Sequence, residues 1–303
     1  MKNRKIFYPY DYHSYSLIHY LNMVEDNIIV ASDIGSGLIG KDISFTINSI
    51  DKEGLIVYDF KTLDLDDTDE LYLLDENVKA FDNGKTHDIS GSKHKIDINM
   101  PLVENIKPVI LVGGLFDSVF NSKVLVDLKY ELEKIGLKCG LLTPCKCLKY
   151  IGADILDFES ILYSSLPELY YEIKKEINLM SQSDIDVILI QAQGGYMQMD
   201  DTIFNDFGVY YSILNDISCP DYRILVLPQT FNDQNLRSQF QNIAYSRYGE
   251  KIDYFYVKNF YIDSSNPYTM KMMDDITFLK NNKDDFSGVI KDILLKLGVS
   301  EDE

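Results

Sequence analysis

The stretch from Pro108 to Leu142 constrains the fold of this chain more than any other. It opens on an unbroken apolar run, Val109 to Val112, which reads as a strand buried on both faces. Gly113 and Gly114 mark a turn, and helical periodicity follows over about Asn121 to Ile135. Gly136 stops the helix, and Lys138 to Leu142 reads as a second strand. Parallel strands cannot be joined by a tight turn; they need a crossover, most often a helix, so this is a β-α-β unit. In such a unit a ligand site lies where the first strand hands over to the helix.

The same alternation runs on to the C-terminal end. A helix over Pro167 to Met180 leads into a strand from Asp186 to Ile190, whose loop ends at Gly194 and Gly195. A helix from about Asp206 to Ile217 precedes the strand Tyr222 to Leu227, which stops at Pro228. The helix Asn232 to Tyr248 ends at Gly249, a residue suited to a helix C-terminus. A strand from Asp253 to Val257 and a last helix from about Asp285 to Leu297 complete the series. The expected fold is therefore α/β: a doubly wound, mostly parallel sheet, P-loop-like or Rossmann-like, over residues 108–303. It requires Val112, Ile190 and Leu227 to stand on neighbouring strands that run the same way.

Ahead of it, residues 1–82 read as a small N-terminal α/β domain. Its strands are Lys5 to Pro9, Asn27 to Ala31, Leu55 to Phe60 and Glu70 to Leu74. Leu17, Ile18, Leu21 and Val24 give its helix (Ser14 to Val24) an apolar stripe. Residues 83–107 are polar, glycine-bearing and aperiodic, and are expected to form a linker.

Composition narrows the function. The 303 residues are 46% hydrophobic, ample for a packed core, and carry a net charge of −19. That charge excludes the electrostatic footprint of a nucleic-acid binder or of a protein that docks on anionic membranes. No run approaches the roughly 20 apolar residues of a spanning helix, and no signal-peptide core follows the basic start. Four cysteines in a chain of this length do not suggest a disulfide scaffold, so the cytoplasm is the expected compartment.

Two loops resemble phosphate-binding sequences. Around the first, Lys123 stands near a helix start, but a working P-loop reads G-x-x-x-x-G-K-[ST]. Here Asp117 and Ser122 take the glycine positions, and Val124 replaces the hydroxyl residue. The candidate ligand residues at this rim are Gly113, Gly114, Asp117, Ser122 and Lys123, with Gly194, Gly195 and Asp206 from the neighbouring loops. Equally, Asn121 or Ser122 caps the helix beside a solvated lysine, and Asn205 or Asp206 caps the next one. The second loop, Gly35-Ser36-Gly37-Leu38-Ile39-Gly40-Lys41-Asp42, satisfies G-x-G-x-x-G and nearly a P-loop. Ile43 to Asn48 then alternates with period two and is expected to be extended, without the helix N-terminus that would hold a phosphate. Asp42 would repel a phosphate or pair with Lys41. This loop is expected to dock on the second domain or on a protein partner.

Cys145 and Cys147, with Cys139 nearby, lack the second pair that a zinc site uses, and read as ordinary buried thiols. His13, His19, His87 and His94 show no ligand spacing. No metal site is expected from them.

Several stretches together resemble the clostridial peptide-maturation-system proteins, which accompany radical-SAM enzymes that modify ribosomally made peptides. They begin with Ile6 to Tyr10, His19, Gly37 to Asp42, and Asp59-Phe60. Gly114 to Lys123, Asp186 to Ile190 with Gly194-Gly195, and Asn205 to Gly208 come next. Pro220 to Tyr222, Tyr248-Gly249 and Ile252-Asp253 complete the set. The chain departs from that pattern at Gln191 to Gln193 and at Leu115 to Ser118. The resemblance implies a pathway context more than a chemistry. The broken loop at Asp117 to Lys123 and the acidic surface favour an accessory, interaction protein whose partner is a precursor peptide or a peptide-modifying enzyme, with no cofactor assigned. The alternative is a nucleotide-dependent enzyme of the same pathway, an ATPase or ATP-using ligase or transferase. It would take Mg-ATP or another nucleotide at the Gly113-Gly114 turn.

Overall fold

The computed structural model describes residues 4–47, 52–65, 68–74, 85–88, 107–116, 119–156, 166–198, 205–231, 233–258, 261–262, 270–271 and 286–298. The chain folds as two units: Met1–Lys95 with Cys145–Gly152, and Ile96–Pro144 with Ala153–Glu303.

The first unit is built on five parallel strands: β1 (Lys5–Tyr8), β2 (Ile28–Ser32), β3 (Val57–Asp59), β4 (Glu70–Leu73) and β5 (Lys85–Asp88). They lie in the order β3-β2-β1-β4-β5, so the first strand is central. Helix α1 (Tyr15–Val24) connects β1 to β2. Strand β5 lies inside the stretch expected to be a linker. Its four residues, Lys-Thr-His-Asp, are too few and too polar to show an alternation, and the parallel ladder to β4 forms them.

Both faces of this sheet are apolar because alternate residues point to opposite sides. Ile6, Tyr8, Ala31, Phe60, Leu71 and Leu73 make one cluster. On β1 and β4, Phe7 and Tyr72 stack at 5.0 Å, and Tyr150 meets both rings edge-on at 5.3 and 4.9 Å. Tyr150 comes from a 3-10 segment, Lys146–Ile151, that the chain order alone would assign to the second unit. Ile43–Ile47 is also a 3-10 segment and not the extended chain that its β-branched alternation suggests. The Asp42 carboxylate accepts the Ser44 amide at 3.0 Å, and the Phe45 amide donates to the Asp42 carbonyl at 2.9 Å. These local bonds outweigh strand propensity.

The second unit holds a six-stranded sheet in the order β11-β10-β6-β9-β7-β8, every pairing parallel. Its strands are β6 (Val109–Gly114), β7 (Cys139–Thr143), β8 (Asp154–Ile155), β9 (Val187–Gly195), β10 (Tyr222–Pro228) and β11 (Tyr254–Lys258). Leu111 pairs with Ile190, and Val226 with Gly114, so Val112, Ile190 and Leu227 stand on three adjacent strands running the same way. A short antiparallel pair, β12 (Tyr261–Ile262) and β13 (Met270–Lys271), follows.

Helices cover both faces. Val109, Leu111, Ile188, Ile190, Leu225 and Leu227 pack with apolar residues of α3 (Leu166–Gln182), α4 (Val209–Ser218) and α5 (Gln234–Tyr248). Their alternates Ile110, Val112, Leu189, Ile224 and Val226 are equally buried and point the other way. That side is covered by α2 (Val119–Lys134), and α6 (Ser287–Leu297) joins it through Phe286, which stacks on Tyr256 at 5.4 Å. The doubly wound, Rossmann-like α/β architecture expected from the alternation is the one observed.

Candidate functional site

In an open parallel sheet the crevice for a ligand lies beyond the carboxyl ends of the strands, at the point where the connections diverge. In the second unit that point is the end of β6, between β10 and β9. Gly113 and Gly114 are there, inside the strand and not in a turn after it. Each is a glycine because another side chain occupies the space a Cβ would take. At Gly113 a Cβ would come within 2.5 Å of two ring carbons of Tyr211, a buried residue of α4. At Gly114 it would overlap the Asn121 side-chain amide and the Phe116 carbonyl oxygen. Asn121 is fully buried and donates to that carbonyl at 3.2 Å.

The backbone at this rim is engaged as well. The Leu115 amide donates to the Val226 carbonyl at 2.9 Å, and the Tyr196 amide to the Gly114 carbonyl at 2.8 Å. Gly194 and Gly195 fall within β9 rather than in a loop beyond it. The register steps from Val112–Gln191 to Gly114–Gly195, so β9 carries extra residues there, and Gly194 takes the left-handed conformation that this bulge needs.

Lys123 is not solvated. Only 8% exposed and one turn into α2, it donates to Asp127 at 2.6 Å. Ser122 is buried in the same turn. Asp117 lies outside the described residues. Asp206 belongs to a 3-10 segment, Asn205–Gly208, and its side chain is not among those described. The cap of α4 is Gly208, not Asn205 or Asp206: a Cβ at Gly208 would overlap the Tyr196 carbonyl, and its φ of 71° is left-handed. On the face covered by α2, β9 presents Gln191, whose Oε1 accepts from the Thr143 hydroxyl at 2.6 Å.

A P-loop enzyme needs amides directed at the phosphates, a lysine reaching them, and a hydroxyl and an acid on magnesium. Among the described residues this rim offers an amide already bonded across the sheet, a lysine paired within its own helix, and a glutamine on β9.

The Gly35 to Asp42 loop of the first unit is also not a phosphate cradle. A Cβ at Gly35, Gly37 or Gly40 would meet nothing within 4 Å, so no group crowds these glycines. Lys41 and Asp42 do not pair as expected. The Lys41 ammonium lies 3.6 Å from the centroid of the Phe45 ring. Asp42 accepts amides from Ser44, Glu53 and Gly54 at 3.0, 3.0 and 2.7 Å. Desolvation pushes the Asp42 carboxyl up, but the hydrogen bonds from Ser44, Glu53 and Gly54 outweigh it and hold the pKa below its ordinary value.

The structure adds a cluster that spacing could not reveal. Glu53 accepts from the Tyr15 hydroxyl through one oxygen and meets His19 Nδ1 at 2.8 Å through the other. Asn22 donates to its backbone carbonyl at 3.0 Å. Tyr15, His19 and Asn22 share a helix face at i, i+4 and i+7, but their partner arrives from 31 positions or more along the chain. Cys145 and Cys147 sulfurs lie 3.3 Å apart. Cys147 is buried, Cys139 and Cys145 are partly buried, and Cys219 is exposed, so the cysteines are not uniformly interior. Among the described residues no three His, Cys, Asp or Glu side chains group as metal ligands, and no helix is long and apolar enough to cross a membrane.

These features define a class: a two-unit α/β chain with parallel sheets, whose second unit covers Gly113 with Tyr211 and Gly114 with Asn121. No protein-family model matches the sequence, and no curated protein matches it. Among solved structures it is similar to a DUF1611 family protein from Anabaena variabilis. The TM-score is 0.50 at 10% identity, covering 85% of this chain and 87% of that one. That likeness is one of fold.

Proposed function

We propose that this chain is an accessory, interaction protein of a system that matures ribosomally made peptides, built on a Rossmann-like fold without nucleotide hydrolysis. The observation that supports the non-catalytic half is the commitment of the rim's described residues to contacts within the unit. Tyr211 covers Gly113, Asn121 covers Gly114, Lys123 is neutralised by Asp127, and Gln191 stands on β9. A scaffold of this kind, with its strand-end glycines covered and its lysine paired, would keep the fold without the phosphate contacts. The pathway context is supported by the ordered resemblance of stretches from Ile6 to Asp253. The partner would be the precursor peptide or its modifying enzyme, held by surface complementarity or by strand addition at a sheet edge.

A nucleotide-dependent enzyme is the second reading, favoured by one observation. The first strand of the second unit is central, and its carboxyl end lies at the divergence of the connections, the usual ligand position. Thermal denaturation with and without millimolar Mg-ATP and Mg-GTP separates the two, because only a ligand that prefers the folded state raises the melting temperature. No shift with either nucleotide, and co-elution with the modifying enzyme or precursor peptide on co-expression, is the expected result. A rise of several degrees that disappears in Lys123→Ala would overturn it in favour of the enzyme.

A further inference from the structure

We propose that Cys145 and Cys147 are a redox-active dithiol that closes reversibly to a disulfide by exchange with a low-molecular-weight disulfide. The two sulfurs are 3.3 Å apart across Lys146. A disulfide bond is about 2.0 Å, so closure needs on the order of an ångström of approach. Access to the two thiols differs. Cys145, at the start of the 3-10 segment, is partly exposed, and Cys147, inside it, is buried. That is the division between an attacking and a resolving thiol.

The exchange balances in two steps. The Cys145 thiolate attacks one sulfur of the external disulfide, forming a mixed disulfide and releasing one small thiolate. Cys147, deprotonated, then attacks the Cys145 sulfur and expels the second. Two protein thiols lose two electrons and two protons, and the external disulfide becomes two thiols. The Cys147 pKa is raised first by the hydrogen bond with Cys145 and then by burial, while the Leu17 amide in the first turn of α1 pulls it down. Once Cys145 is capped, its hydrogen bond, the largest raising cause, is gone, while burial and Asp11 still raise the thiol and the Leu17 amide still lowers it. Both thiols also lie on the His13 carbonyl, at 3.7 and 3.5 Å. A disulfide has no S–H to donate, so oxidation removes both of these donors from the His13 carbonyl.

The test uses the full chain equilibrated with oxidised glutathione, quenched in acid, and mapped after trypsin. Cleavage at Lys146 falls between the two cysteines, so the disulfide appears as residues 139–146 joined to 147–149. Fragmentation of that joined peptide then tells a bond at Cys145 from one at Cys139. We expect loss of two of the four thiols through the Cys145 cross-link, with no glutathione retained on Cys145. In Cys147→Ser one glutathione should remain on Cys145, and in Cys145→Ser position 147 should stay unmodified. Glutathione persisting on Cys145 of the unaltered chain, modification of Cys219 alone, or a link from Cys147 to Cys139 would each overturn the proposal. The unaltered chain decides the matter even if a variant folds poorly.

Discussion

The two units place their first strand at the centre of a parallel sheet and close the loop after it by different means. After β1 the loop Pro9 to Ser14 has no glycine. Asp11 accepts the Ser14 amide at 3.0 Å, and the Ser14 hydroxyl returns a bond to the Asp11 carbonyl at 3.1 Å. A carboxylate thus occupies the start of α1, where the helix dipole favours negative charge. After β6 the closure is by packing: a tyrosine ring on one glycine and a buried asparagine on the next. The first strategy is polar and sensitive to charge, and the second is steric and sensitive to volume. Equivalent topology therefore leaves open how a ligand position is used, which residue-level chemistry decides.

The largest expected effect tests the second rim. Lys123→Met takes the ammonium away from the buried Asp127 carboxylate, and should lower unfolding free energy by about 3–5 kcal/mol. Lys123→Met with Asp127→Leu should recover most of that in urea denaturation. If the single variant is neutral, the lysine is not committed to its helix and the closed-rim reading fails. Next is Gly113→Ala, which forces the Tyr211 ring to move and should cost about 1–3 kcal/mol. Adding Tyr211→Leu should relieve part of that cost; a double variant no better than the single would show that the ring does not set the glycine.

The smallest effect contrasts one carboxylate from each unit. Asp42 has its pKa lowered, so its contribution to stability is present above the unfolded value, about 3.9, and is lost as pH falls below it. Asp253 has its pKa raised by desolvation, against the Arg223 amide that it accepts at 2.8 Å. Its contribution is present below about 3.9 and is lost as pH rises through the folded value. In urea midpoints from about pH 3 to 7, Asp42→Asn should match the parent at the acid end and fall behind above it. Asp253→Asn should gain on the parent over the same rise. Parallel curves would remove the polar-versus-buried distinction between the units.

Much of the second unit was legible in the order of residues. Val109 to Val112 is apolar at every position because the strand is covered on both faces, and a strand of that kind implies parallel neighbours. One helix end was readable where a single residue type sets it, at Gly249, which closes α5; its start reads as Asn232, whereas Asp233 is the cap and accepts the Asn235 and Leu236 amides. The local environment of the candidate residues was not legible. Local spacing put Lys123 near a loop, but the pairing with Asp127 belongs to the buried side of α2. Gly194 and Gly195 looked like a turn because bulges and turns use the same residue.

The sequence by itself determined the alternation, and with it the parallel second sheet, because periodicity and turn chemistry are local properties. Only tertiary structure decided that Lys85–Asp88 is an edge strand, that Lys146–Ile151 packs with the first unit, and that Glu53 joins Tyr15 to His19. Each of these depends on a partner tens of residues away, whose approach is selected by burial and hydrogen bonding of the folded chain. A short polar segment has no periodicity with which to announce such a partner.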